Sequence, residues 1–312
     1  MRIGLPRALL AIDLVAELAE RIRKKIEGLR WQQRALVPQA GPLLVSEDIC
    51  FPFKRMLSES VSLAQETGVV FVPRLVGTGE NLLCPNFRAL PDIVALNLKQ
   101  QERKVSGKLV SVTLEELTDA ALAAAAEGAA EHLRALMPGR EQPQPPSPAT
   151  GTRPAGPVSK PSATGIRTPR TIAVLGHPYM LADEALGGRV PQMLRQYGCR
   201  VATAEDVPLA ETEHQARRLD FYAKKLYWRP ARRLLGAFMH YLYEKPPAGI
   251  LHLVPFNCGL DALLRIEMMN LYKKEKAPPP FLVIVCDQHS QRDHVATRLE
   301  AFLDIIDGIK IT

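Results

Sequence analysis

Short, wholly apolar runs alternate with longer amphipathic stretches along most of the chain. Runs of this kind lie at 2–5, 42–46, 69–73 and 108–112, and again at 171–176, 199–203, 249–254 and 281–286. Their length, their aliphatic and β-branched content and their lack of polar alternation predict strands covered on both faces. Between them, apolar residues recur at helical spacing near 8–29, 53–66 and 114–136. The same spacing returns near 185–197, 210–244, 259–274 and 292–305. Strands alternating with helices in this way predict an α/β protein built of doubly wound parallel sheets.

Pro138–Arg170 divides the pattern. It holds nine prolines among Gly, Ser, Thr and Ala, with almost no large apolar side chain. Such a segment buries too little surface to offset its ordering entropy and is expected to be an extended linker. The expected organisation is therefore an N-terminal α/β domain over 1–137, a linker over 138–170 and a C-terminal α/β domain over 171–312. The full length of 312 residues suits two cores better than one. Both halves also open alike: RIGLPRAL from Arg2 and TIAVLGHPY from Thr171 each place a glycine and a proline after a short strand.

Composition narrows the function classes. The net charge of +7 is modest, and much of it sits in Arg21–Lys25 and Arg217–Arg233. The second segment interleaves Tyr222, Tyr227 and Trp228 with basic residues, which reads as a solvated helix face with aromatic anchors. No nucleic-acid-binding module accompanies it, and no nucleic-acid partner is expected. No apolar run approaches the ~20 residues that span a bilayer, so no membrane partner is expected either. The first residues, MRIGLPRALL, lack a signal-peptide layout. Five cysteines at irregular spacing do not form a disulfide framework. A reducing cytoplasm, where thiolates stay available as ligands, is the expected location.

In open α/β sheets, ligands bind beyond the carboxyl ends of the strands. Arg7, Cys50, Arg74, His177, Cys258 and the Asp287–Ser290 turn each follow a predicted strand, so two such edges facing each other enclose a cleft. Three cysteines there adjoin chain-bending residues: Cys50 in EDICFPFK, Cys84 in NLLCPNF and Cys258 in VPFNCGLD. A thiol beside Pro or Gly on a short loop can turn away from the core toward a shared centre. Three of them would hold a metal, with an iron–sulfur cluster foremost; the plainer role for each is a small buried side chain. Cys199 and Cys286 are expected to take that plainer role. His177, in GHPY, reads equally as a turn residue and as a site residue. Ser46 or Glu47 is expected to cap the helix near 53. Asp287, His289 and Ser290 lack the order and spacing of a hydrolytic triad, and no GxSxG is present. VGTGEN (76–81) lacks the third glycine of a dinucleotide fingerprint, and there is no phosphate-binding GxxxxGK[ST].

Seven segments together carry a family resemblance: MRIGLPRAL, EDICFPFK, VFVPRLVGTGENLLCPNFRALPDIV, IAVLGHPY, LYWRPARRLLGAFMHYL, GILHLVPFNCGLDAL and CDQHSQRDHVATRLEAFLDII. The chain resembles the acyl-CoA dehydratase activase-related proteins, often labelled CoA protein activase, which are similar to subunits of 2-hydroxyacyl-CoA dehydratases. The resemblance covers nearly everything except the linker and residues about 10–40. It implies two Rossmann-like domains, an oxygen-sensitive [4Fe–4S] cluster between them, and cluster ligands at Cys50, Cys84 and Cys258. It implies one-electron chemistry, an ATP-dependent activase as electron donor and an acyl-CoA substrate. His177, Asp261 and His289 are then candidates for the chemistry beside the cluster, and Arg7 and Arg74 for an anionic group. The chain departs from the family pattern at Gln288, where an acid is usual, and at Gly259-Leu260-Asp261, where Gly-Pro-Asp is usual. A basic helix also follows Arg7 in place of an aromatic-rich stretch. Two other readings remain: a non-catalytic, cluster-holding scaffold, and a zinc-stabilised structural protein using His177 or His289 as fourth ligand.

Overall fold

The computed structural model describes residues 2–33, 43–101, 107–136, 170–219, 226–287 and 292–308. The span expected to be a linker lies outside the described residues except for Arg170, and so does His289.

The first part of the chain runs β1 (Arg2–Gly4), α1 (Arg7–Leu10), α2 (Asp13–Lys25), β2 (Arg30–Gln32), α3 (Phe51–Thr67) and β3 (Val69–Phe71). It continues with β4 (Arg74–Leu75), α4 (Pro85–Gln101), β5 (Lys108–Val110), β6 (Thr113–Leu114) and α5 (Asp119–Ala135). The second part runs β7 (Thr171–Leu175), α6 (Pro178–Ala182), a π-type turn at Glu184–Gly188, α7 (Arg189–Gln196), β8 (Arg200–Ala202) and α8 (Leu209–Arg217). It ends with α9 (Arg229–Met239), β9 (Gly249–Pro255), α10 (Gly259–Lys274), β10 (Phe281–Cys286) and α11 (Arg292–Ile306).

The protein is α/β with parallel sheets. One four-stranded sheet has the order β2-β1-β3-β5 and the other β10-β9-β7-β8, and every pairing in them is parallel. β4 and β6 form a separate two-stranded parallel ribbon. In both large sheets the order reverses beside the first strand, between β1 and β3 and between β7 and β9. Such a switch opens a crevice at the carboxyl edge of the strands. His177 and Cys258 follow the two strands that flank the second switch.

Two sequence expectations are corrected. Residues 43–46 form no strand. The polar side chain of Asn97, fully buried on α4, accepts from the Leu44 N–H at 2.7 Å and donates to the Leu44 carbonyl at 3.1 Å, which satisfies that backbone without a sheet. The edge strand is instead Arg30–Gln32, where Trp31 stacks at 5.7 Å from Phe71 and its indole donates to the Ala19 carbonyl. The expected helix over 8–29 is accordingly split into α1 and α2. α4 goes unread in the sequence because Pro85 and Pro91 look like breakers; Pro85 is its first residue, where a missing N–H costs nothing.

The carboxyl edges of the two sheets are packed together. α1 lies on α6. The Phe51 N–H donates to the Phe256 carbonyl at 3.2 Å, and the Arg229 N–H to the Leu82 carbonyl at 3.0 Å. Arg55 on α3 meets Asp183, just after α6, at 2.6 Å, with side chains 12% and 4% exposed. One apolar cluster runs through the contact, from Ile3 and Phe53 to Leu186 and Leu253. No helix among the described residues is long and apolar enough to cross a membrane.

Candidate metal centre

The three cysteines share one local device. Cys50 is the N-cap of α3 and is followed by Phe51-Pro52; Cys258 is the N-cap of α10 and is followed by Gly259. Cys84 precedes Pro85, and its carbonyl accepts from the Phe87 and Arg88 N–H groups, so it opens α4. At Cys84 the proline that follows presets the helical φ and pushes the preceding residue into extended backbone; Cys50, with Phe51 between it and Pro52, and Cys258, followed by Gly259, are extended as N-caps. Each side chain then leaves its helix at the N-terminus. Ser46 and Glu47, expected as caps, sit outside this role: Ser46 Oγ accepts from the Asp48 N–H and Cys50 starts the helix.

The fold brings these N-termini together. Asn86 Nδ2 donates to Cys50 Sγ at 3.4 Å from the first turn of α4. Cys84 and Cys258 line one cavity of about 230 Å³ with His177 and Tyr179. All three sulfurs, with Asp261, act on the Tyr179 hydroxyl, whose pKa burial already pushes well above the usual value. The N-termini of three helices of sixteen or seventeen residues thus lie around the Tyr179 hydroxyl. That arrangement favours an anionic group there.

Each thiol is pushed up by burial. At Cys50 the Phe53 N–H and Asn86 act against that rise. At Cys84 the Asn86 and Phe87 N–H groups act against it, while the neighbouring Cys50 sulfur adds to it. At Cys258 the imidazole of His177 acts against it. The metal-free thiols are therefore protonated at neutral pH, and every thiolate–metal bond releases a proton. Binding of Zn²⁺ or Co²⁺ is expected to tighten as pH rises through neutrality, by up to about tenfold per pH unit for each thiol ionised. Competition against a chelator of known pH dependence reads this directly.

Beside the thiols lies a buried polar core. His177 Nε2 is 3.3 Å from Asp261 Oδ2, and His252 Nε2 is 3.8 Å from Asp261 Oδ1. All three residues are at most 2% exposed. Burial works against a charged imidazole at His177, but the Asp261 carboxylate and the Cys258 sulfur outweigh it and raise the pKa to about 10. Burial likewise opposes ionisation of Asp261, and His177 overcomes it, holding the carboxyl well below the usual carboxylate range. The ligand atoms of His177, Cys258 and Asp261 lie within 4.8 Å of one another.

The other expected site residues are placed differently. Arg74 donates to both carboxylate oxygens of Asp92 and to the Arg88 carbonyl, so its charge is matched on the flank of α4. Arg7 opens α1, and its backbone N–H donates to Glu59 Oε1 at 2.8 Å. The arginines that line the cavity are Arg229 and Arg233. Cys199 and Cys286 are buried in the core, as expected. Asn86, Tyr179 and His252 join the centre without having been singled out in the sequence. His252 carried the one readable signal, a lone polar residue within ILHLVP.

These residues fit an iron–sulfur cluster. Three thiols stand at helix N-termini around Tyr179, a cavity adjoins two of them, and among the described residues both Asp261 oxygens, His177 Nε2 and both His252 nitrogens are buried without a hydrogen bond of proper geometry. A family model described as "CoA enzyme activase uncharacterised domain" matches residues 2–207. That span contains Cys50, Cys84 and His177. A search of curated proteins found no match.

Proposed function

We infer a function from one premise: the chain belongs to the CoA enzyme activase uncharacterised domain family. We read it as an iron–sulfur protein that takes part in activating a CoA-dependent enzyme. Cys50, Cys84 and Cys258 would hold a [4Fe–4S] cluster between two Rossmann-like halves joined by the proline-rich segment. A cluster of this kind supplies low-potential, one-electron chemistry. An ATP-dependent activase is the proposed electron partner, consistent with the lack of a phosphate loop in this sequence. An acyl-CoA is the proposed substrate class of the reaction served.

The observation that supports this reading is that Cys50, Cys84 and Cys258, each at a helix start, all act on the buried Tyr179 hydroxyl. The chain's own part is to bind and shield. The N-termini of α3, α4 and α10 offset the negative charge of three thiolates, Asn86 donates to the Cys50 sulfur, and Phe87 and Tyr179 pack edge-on at 5.6 Å to exclude water. Asp261 and His177 hold a proton against the Cys258 sulfur in the metal-free protein.

The test is protein purified without oxygen, with iron, acid-labile sulfide and zinc measured beside absorption and low-temperature EPR spectra. Iron and sulfide in equal amounts, and an EPR signal that develops when the ATP-dependent activase and ATP are added, support the reading. Iron and sulfide without reduction by the activase leave a cluster-holding scaffold. Zinc alone replaces the electron-transfer reading with a structural one.

A further inference from the structure

We propose that His177 is a fourth protein ligand of this centre, its imidazole joining the thiolates of Cys50, Cys84 and Cys258. The proposal rests on the three-cysteine reading and says what completes it.

Four observations carry it. First, His177 is displayed by the same local device as the cysteines. Like Cys50 it is a helix N-cap, with the same backbone angles, φ −61° and ψ 148°, and like Cys84 it is directly followed by a proline. Second, His177, Cys258 and Asp261 form the one group of three metal-ligating side chains found among the described residues with all ligand atoms within 4.8 Å. Third, the polar atoms there are left without hydrogen bonds. Among the described residues, His177 Nε2 and both Asp261 oxygens are buried with no hydrogen bond of proper geometry, their only close approaches being to one another and to His252. Buried polar groups are almost always satisfied, and a cluster of exceptions marks the place of an ion or water. Fourth, the ring is held. It stacks on Tyr179 with centroids 5.1 Å apart, and Asp261 stands 3.3 Å from it on the side where His252 backs the carboxylate.

The consequence concerns the type of function. A four-iron cluster takes one terminal ligand per iron. Three thiolates leave one iron open to a substrate, whereas three thiolates and an imidazole close the set. The closed set is that of an electron relay, and one nitrogen in place of a thiolate raises the reduction potential.

The test uses the full chain, produced with histidine labelled with nitrogen-15 and purified without oxygen, as wild type and as His177→Cys and His177→Gln. Iron and sulfide are counted, and pulsed EPR of the reduced protein reads nitrogen coupling. The expected result is one strongly coupled histidine nitrogen in wild type that vanishes in both variants. His177→Cys keeps its iron and sulfide and shows a lower reduction potential. An iron-loaded wild type with no strongly coupled nitrogen, or a coupling that survives in His177→Cys, overturns the proposal while leaving the three-cysteine reading intact. Wild type that takes up no iron under anaerobic reconstitution overturns the iron–sulfur reading, and Co²⁺ alone then tests His177. Co²⁺ bound at least about tenfold more weakly by His177→Gln, with a shifted visible spectrum, supports ligation. An unchanged spectrum and affinity, or no Co²⁺ binding by either protein, refutes it.

Discussion

Cys84→Ser, purified without oxygen, is expected to carry at least about tenfold less iron than wild type while its metal-free fold is unchanged. Serine is nearly the size of cysteine, and it is a strong N-cap residue. The helix that Cys84 opens keeps its backbone bonds, since the Phe87 and Arg88 N–H groups are held by the residue-84 carbonyl and not by its side chain. Cys84 is only partly buried, so little packing is at stake. What the substitution removes is a soft thiolate, for which a serine hydroxyl is a poor substitute on iron. Cys50→Ser and Cys258→Ser are expected to behave alike, with Cys50→Ser also losing the bond from Asn86. Cys286→Ser provides the contrast: that thiol is buried at the end of β10, with its pKa pushed to about 12 by burial, and its replacement is expected to leave iron content unchanged. Iron and sulfide counts with thermal unfolding of the metal-free proteins decide it. Full iron in Cys84→Ser would remove that residue from the centre.

Much of this centre is legible along the chain because its device is local. Cys50, Cys84, Cys258 and His177 each adjoin a proline or glycine past a predicted strand, which marks them as candidates, and the parallel strands before His177 and Cys258 are readable from their apolar runs. The final helices, α10 and α11, follow their periodicity almost to the residue. The remainder depends on contacts distant in sequence. Leu43–Val45 has the composition of a strand, yet Asn97 from α4 takes its backbone bonds. Arg30–Gln32 has the composition of a loop, yet Trp31 finds Phe71 and Ala19. Asn86, Tyr179 and His252 acquire a role only when separate helices and strands converge, and no local pattern encodes that meeting. Arg74 shows the converse: a post-strand arginine has the look of an anion site, yet Asp92, two turns into α4, matches its charge.

Asp183→Ala is expected to destabilise the protein by about 3–5 kcal/mol, because it leaves the Arg55 guanidinium without its carboxylate in a mostly buried position. At roughly 2–4 °C per kcal/mol for a domain of this size, the thermal midpoint falls visibly. Part of the loss is local, since Asp183 Oδ1 also accepts from the Ala185 N–H and caps the turn at Glu184–Gly188. Asp183→Asn keeps an acceptor for that bond and removes only the charge, so the difference between the two variants separates cap from ion pair. Adding Arg55→Met to Asp183→Asn is expected to recover part of the stability, since the guanidinium that has lost this carboxylate is removed with it. A double variant no better than Asp183→Asn would show that the pair contributes little. The pair also bears on the metal centre. Arg55 lies one turn after Cys50 on α3, and Asp183 directly follows α6, whose N-cap is His177. The bond therefore ties the helix that displays a proposed thiolate to the helix that displays the proposed imidazole. Iron loading should fall in Asp183→Ala although Asp183 touches neither side chain, and recover in the double variant only as far as the two helices regain their register.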